Sequence, residues 1–489
     1  MNEGGRADRP RVSKRIDELA AEVRQLRDAV RARELLLEER ERQLADKSEL
    51  VSGMLTSRSW RLTRPLRTAS QLGRRASAVV RGRRSATRRL METMFDADWY
   101  SKTYGIVGNR LLEDYLSRGW REGRNPMPLF DSAWYVAEYA DRPADTSPLE
   151  DFVEHPFARR PNRWFDPTIW RRTPARPGSD VVTYLGELAS AHDDPRPGGE
   201  DAGNAVVHVS PGSRELEDGC AACVFVHYDA DGRVDPYVVS ALAALSRAGR
   251  RVVVCSTSPV TDEDSARLGD HVAYVLSVPN SGYDWGAYHT GLGFVLARCA
   301  PASVTLMNDS VYVIAEALES FLERADRSNG DVVGATDSLM FRYHLQSYFL
   351  LLQRSALASA LTSEFLQAYV PVSDKHYVIN SYEIGFSRRA MEHRLMLDPV
   401  FPLEDLITDP PMEFGSELAP NSTLDFWETL LERGFPFVKA QLLRDLQPDR
   451  QSVEELVPRE TLRLAYAHLA RTGSNIAGGG TEELARRRA

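Results

Sequence analysis

Near the N-terminus, apolar positions recur every seven residues: Ile16, Val23, Val30, Leu37, Leu44 and Val51. Leu19 and Leu26 fill a second seam position that decays to Arg33, Arg40 and Lys47. Heptad spacing has to bury its stripe against another helix, so residues 1–56 are predicted to form a self-associating coiled coil. The alternative is a single solvated helix rich in Glu and Arg. From Phe95 the pattern changes to an internal repeat. Phe95-Asp96, Phe130-Asp131 and Phe165-Asp166 stand 35 residues apart, Trp99-Tyr100 and Trp134-Tyr135 follow at the same offset, and Trp170 is a looser echo. Each unit reads as a short helix, a turn, a second helix and a Gly/Pro exit. Residues 93–172 are therefore expected to be a helical repeat region whose aromatic rings pack one unit on the next.

Residues 173–218 carry PARPG, DDPRPGG and SPGS and read as a linker, interrupted by one helical piece, VTYLGELASAH. Residues 219–450 then alternate buried strand runs (AACVFVHY, RRVVVCSTS, AYVLSVPN, SVTLMNDS, DVVGATDS) with helices of the DPYVVSALAALSRAG kind. That alternation predicts an α/β domain with a mainly parallel sheet and helices on both faces. Residues 451–489 are expected to be a C-terminal helix and a flexible Gly-rich tail.

Composition narrows the classes. Hydrophobic residues make up 43% of the 489 and charged residues 27%, as in folded globular proteins rather than fibrous or disordered ones. No run of about 18 apolar residues is present, so no transmembrane helix is expected. Met1 to Lys14 lacks the apolar core of a secretory signal. Four cysteines fit a reducing compartment, and Cys220 and Cys223 straddle an apolar run, so they read as core residues rather than half of a zinc site. The net charge of -9 conceals an arm: from Ser57 to Met91 there are eleven arginines and no acidic residue. Residues 57–92, with Trp60, Leu62 and Leu66 among those arginines, are expected to lie on an anionic membrane surface, with a solvated linker as the alternative. Nucleic acid is not expected as a partner, since no reading motif accompanies the arm and the rest of the chain is acidic.

In parallel sheets, ligands bind beyond the carboxyl ends of the strands. Here those ends carry His227-Tyr228-Asp229, Ser256, Asn280 through Asp284, Asn308-Asp309-Ser310 and Thr336-Asp337-Ser338. No GxGxxG, GxxxxGK[ST], HExxH or GxSxG accompanies them. Isolated carboxylates suit a ligand that brings its own phosphates. Asp309 either holds a hard cation such as Mg2+ or Mn2+ on a diphosphate, with Asn308 or Ser310 assisting, or caps a helix starting near Tyr312. Asp284, between Tyr283 and Trp285, either accepts from sugar hydroxyls beside a stacked ring or caps the following helix. His344 and Gln346 would share one face of a strand, with Ser347 on the other. They contact sugar or serve as structural hydrogen-bonding groups. Glu383, before a helix, is either a general base or a cap.

Five stretches occur in order: NSGYDWGAY (280–288), LMNDSVY (306–312), HLQSYFLLL (344–352), YEIGFSR (382–388) and NSTLDFWETLLERGFPFVKAQLLRD (421–445). Together they resemble the rhamnan synthesis protein F family of bacterial glycosyltransferases. SxSWRLTxPLR at 57–67 and the FDxxWY units look like segments attached to large bacterial polysaccharide glycosyltransferases. The resemblance implies a GT-A-like fold and nucleotide-sugar transfer in cell-surface polysaccharide assembly. The implied donor is dTDP-L-rhamnose, and the acceptor is a growing glycan or lipid-linked chain at the cytoplasmic face of the plasma membrane. Asn308-Asp309-Ser310 stands where such folds carry Asp-x-Asp, leaving Asp309 as the metal ligand. Tyr228, Asn280, Tyr283, Asp284, Asn308, Ser310, Gln346 and Ser347 would then bind substrate. Glu383 or Asp337, with His344 nearby, would serve an inverting single displacement. The rival reading is a non-catalytic glycan- or nucleotide-binding scaffold.

Overall fold

Among the described residues the strands are β1 His208–Pro211, β2 Ala221–His227, β3 Arg251–Ser256, β4 Tyr274–Ser277, β5 Ser303–Asn308, β6 Val311–Val313, β7 Val332–Ser338, β8 His344–Leu345, β9 Phe349–Gln353, β10 Leu397–Phe401 and β11 Phe437–Lys439. Nine of them form one sheet in the order β1-β4-β3-β2-β5-β9-β7-β10, with β8 paired to β7. The computed structural model describes residues 86–171, 180–190, 206–407, 421–446 and 450–473. The expected coiled coil, the basic arm up to residue 85 and the tail from residue 474 lie outside them. Pairings β4–β3, β3–β2, β2–β5 and β7–β10 are parallel, while β1 and β9 run antiparallel to their neighbours. The mainly parallel α/β expectation therefore holds, with an antiparallel edge and one reversed inner strand.

β2 is buried along nearly its whole length, and its side chains alternate between two cores. Val224 and Val226 join one core, Cys223 and Phe225 the other. Helices cover both faces, Pro236–Arg247 and Ala315–Asp326 each with one apolar stripe and Tyr283–Leu296 as a helix buried on nearly all sides. Pro236–Arg247 and Ala315–Asp326 line the Cys223 side, and Tyr283–Leu296 lines the Val224 side. A separate two-stranded ladder, β6 with β11, sits beyond the end of β5 and pairs Lys439 with Val311. Among the described residues, no helix is long and apolar enough to cross a membrane.

The repeat units carry the sequence period into three dimensions. Asp96, Asp131 and Asp166 each cap the following helix, accepting from the backbone N–H of Trp99, Trp134 and Thr168. Tyr100 and Tyr135 donate to Asp114 and Asp151 at 2.9 and 2.7 Å. Tyr104 and Tyr139 accept from the N–H of Asn125 and Arg160, both at 2.8 Å. The Asp96 N–H donates to the Pro126 carbonyl and the Asp131 N–H to the Pro161 carbonyl, each one unit ahead. At the third unit no further repeat follows, and the Asn380 side chain replaces it. Asn380 Oδ1 accepts from the Asp166 N–H at 2.8 Å, and its Nδ2 donates back to the Asp166 carbonyl at 2.9 Å. The array thus ends on the sheet domain, and the aromatic rings of all three units belong to the same core as Val224. The helix Val181–Ser190, within the stretch read as linker, is also buried in that core.

Candidate active site at the strand ends

Asp309 follows β5 directly. Its Oδ2 accepts from His227 Nδ1 and from the Tyr228 backbone N–H, both at 2.9 Å. A carboxylate requires the proton on Nδ1, which leaves His227 Nε2 buried with no partner among the described residues. No protein group donates to Asp309 Oδ1 among the described residues. Residues after Asp309 form β6, and the next helix, Ala315–Asp326, has Ile314 at its N-cap. Asp309 therefore caps no helix, because its carboxylate turns back to the end of β2 instead.

Asp284 lies in the first turn of Tyr283–Leu296, whose N-cap is Gly282. Gly282 has φ 80°, and the Tyr369 hydroxyl occupies the space a side chain would need. Tyr283 follows with φ 54°. This double left-handed turn starts the helix without using the Asp284 carboxylate, which accepts from Asn308 Nδ2 at 2.7 Å. Asn308 Oδ1 in turn accepts from Ser310 Oγ at 2.6 Å. Burial, then the neighbouring Asp309 charge, pushes Asp284 up to about 6.

Glu383 does not cap a helix either. It sits in the π-helical turn Ile379–Ile384, where the widened ring re-aims side chains and often marks a functional site. Its Oε1 accepts from Ser347 Oγ at 3.1 Å. The turn is held from behind by the third repeat. Asn380 bonds Asp166, Arg388 Nη2 donates to the Arg163 and Trp164 carbonyls at 2.7 and 2.8 Å, and a Cβ on Gly385 would come within 2.9 Å of the Trp164 carbonyl.

Lys439, at the end of β11, received no role from the sequence. Its ammonium lies 3.5 Å from Ser310 Oγ and 4.3 Å from the centroid of the Tyr348 ring. Burial pulls it down to about 8, against the attraction of Glu383 and Asp284. The one signal available was a cation closing the apolar run FPFV.

The structure thus brings together Asp284, Asn308, Asp309 and Ser310, with Ser347, Glu383 and Lys439 beside them. Tyr228 and Tyr283 stand at the rim, 52% and 46% exposed, and Asn280 is exposed near them. Asp337 on β7, His344 on β8 and Gln346 just after β8 form a second group. Asp337 Oδ1 accepts from the Leu403 N–H at 2.6 Å, His344 Nδ1 lies 2.8 Å from the Arg342 carbonyl, and Gln346 Oε1 accepts from Thr336 Oγ1 at 2.7 Å. All three are buried. The expected continuous strand through 344–348 is broken, with β8 ending at Leu345 and β9 starting at Phe349.

A third group, Asp229, Asp235 and His468, has ligand atoms within 4.8 Å of one another. Arg471 already occupies it, bonded to Asp229 and to Asp235 and Asp231 at 2.6 and 3.0 Å. That guanidinium offsets part of the cluster's negative charge and ties the helix Arg459–Thr472 to these carboxylates.

Residues 252–460 match the model of the Rhamnan synthesis protein F family, and all five motif stretches fall within that span. The curated Uncharacterized protein y4gN of Sinorhizobium fredii (strain NBRC 101917 / NGR234) is 26% identical over 164 residues, which is 32% of this chain. The match spans 43% of that relative's length. Among solved structures, a protein of Desulfovibrio desulfuricans G20 described as a nucleotide-diphospho-sugar transferase is 10% identical, with a TM-score of 0.25 over 39% of this chain and 80% of its own. The mannosyltransferase PcManGT of Pyrobaculum calidifontis, solved with GDP-Man and Mn2+, is 11% identical, with a TM-score of 0.25 over 57% of this chain and 81% of its own. At such scores the fold is read from the sheet order itself.

Proposed function

We propose that the protein is a GT-A-like nucleotide-sugar glycosyltransferase that transfers L-rhamnose from dTDP-L-rhamnose to a growing cell-surface glycan, by single displacement with inversion. The observation that carries this reading is the gathering of Asp284, Asp309 and Glu383 beyond the parallel strand ends, inside the family-matched span. The exposed rings of Tyr228 and Tyr283 offer stacking faces for the base or a sugar. Asn280 and Ser347 flank them, and Asp284, oriented by Asn308, accepts from sugar hydroxyls.

Asp309 fits a divalent cation, Mg2+ or Mn2+, through Oδ1, since Oδ2 is engaged by His227 and Tyr228. One carboxylate is a sparse protein donor set, so most ligands would come from the donor phosphates and water. When bound, that ion would offset charge on the departing diphosphate. Glu383 is the base that takes the acceptor hydroxyl proton, held in place by Ser347. Asp337 serves less well, because its Oδ1 is engaged by the Leu403 N–H and the group is 8% exposed. The acceptor is a glycan or lipid-linked chain. The sequence of the basic arm and the heptad segment supports reading the protein as a self-associated, peripheral species on the inner face of the plasma membrane.

The test is dTDP release from dTDP-L-rhamnose by the full chain, with and without membrane lipid extract as acceptor source. The wild type should release dTDP. Glu383→Gln should lose about 10²-fold or more of the acceptor-dependent rate. Equal background rates in wild type, Glu383→Gln and Asp309→Asn, across dTDP-, UDP- and GDP-sugars, would favour the scaffold.

A further inference from the structure

Lys439 is a cation that the protein itself brings to this site. An ammonium carries three donors. Among the described residues its single hydrogen bond is the long one to Ser310 Oγ, 3.5 Å, and it forms no ion pair there. Asp284 and Glu383 act on it through space. The Tyr348 ring under the ammonium fixes its stem while leaving the donors uncommitted. A half-buried cation without a close counter-ion is costly to maintain unless an anion arrives. β11 delivers it beside Ser310, the residue after Asp309, whose own carboxylate turns back to the end of β2.

Resting on the transferase reading above, we propose that Lys439 Nζ binds the diphosphate of the nucleotide-sugar donor directly, independently of any ion at Asp309. The two groups then share the diphosphate. Lys439 gives charge-assisted hydrogen bonds to phosphate oxygens, and Asp309 acts through the metal. Their contributions separate in the presence of a chelator.

The experiment titrates the full-length protein with dTDP and with thymidine, by calorimetry, in EDTA and in Mn2+. It compares wild type with Lys439→Met, Lys439→Arg and Asp309→Asn, and the unliganded melting transition verifies folding of each. Lys439→Met keeps the stem on Tyr348 and removes only the charge. We expect wild type to bind dTDP in EDTA more tightly than thymidine. Lys439→Met should weaken dTDP about tenfold under both conditions, with thymidine unchanged and Lys439→Arg in between. Asp309→Asn should abolish the Mn2+ increment. Should Lys439→Met match wild type for dTDP in EDTA, or wild type bind dTDP only with Mn2+, the Lys439 assignment is overturned while the transferase reading stands. Absence of dTDP binding in both conditions overturns the Lys439 assignment and the dTDP-sugar donor reading together.

Discussion

The repeat array and the strand-end rim use the same residue types for opposite ends. In the repeats, Asp96, Asp131 and Asp166 cap helices, Asp114 accepts from the Tyr100 hydroxyl and from Arg124, and Asp151 accepts from the Tyr135 hydroxyl and pairs with Arg159. These carboxylates have protein partners. At the rim, among the described residues, Asp309 has one oxygen engaged and Lys439 has a single long hydrogen bond. The array therefore draws its polar groups into stability, whereas the rim holds charges in reserve at a cost to stability. The two meet at the turn Ile379–Ile384, where Asn380 faces the repeats and Glu383 faces the rim.

The comparison breaks most severely at Trp164, which is 2% exposed and packs its ring against Phe365 and Tyr382. Trp164→Ala should cost about 3–5 kcal/mol of stability in chemical denaturation. A cost near zero would mean that the array is not part of the same cooperative unit. Asp309→Asn comes next, with a different signature. Catalysis should fall about 10²-fold or more while the melting transition barely moves, because the shape and one acceptor oxygen are kept. Asn380→Leu removes both bonds to Asp166 and should cost about 1–3 kcal/mol. Its kcat should fall more than its KM rises if the array holds Glu383 in place, and kinetics with saturating donor checks this.

The smallest effect concerns pH. Burial holds the Asp284 proton up to about 6, with the charges of Asp309 and Glu383 adding to it and Lys439 opposing. Between its ordinary value and about 6, the folded chain keeps a proton that the unfolded chain releases. That stabilising share is complete below the ordinary carboxylate range and is lost as pH rises through about 6. Asp284→Asn should flatten this segment of the stability–pH curve, read from melting at a series of pH values.

Much of the sheet was legible because β2, β3, β5 and β7 are short, β-rich runs bounded by turns, buried on both faces. The edges were not. β1 is four mostly exposed residues, and β10 contains Pro399, so neither carries a local pattern. Their register comes from pairing with distant neighbours. The reversal at β9 was hidden for the same reason, since an apolar run gives no direction. At the site, Asp284, Asp309 and Glu383 could be picked out as polar groups at run ends, yet whether each caps a helix or faces a ligand depends on atoms far away in sequence. The double left-handed start at Gly282 and Tyr283, the insertion of β6 after Asp309 and the π-helical turn each decide one case. Lys439 was missed because a lysine closing a strand is ordinarily a solvated end.

Asn380 has a practical corollary for anyone trimming the gene. The family-matched span begins at residue 252, well downstream of the units that lean on this side chain. A shortened chain starting there would lose β2 as well as Trp164 and Phe165, and would bare the rings of Phe365, Tyr377 and Tyr382 to water. Such a sticky aromatic seam invites clumping. A productive truncation would begin upstream of Leu90, whose side chain already packs into the shared interior.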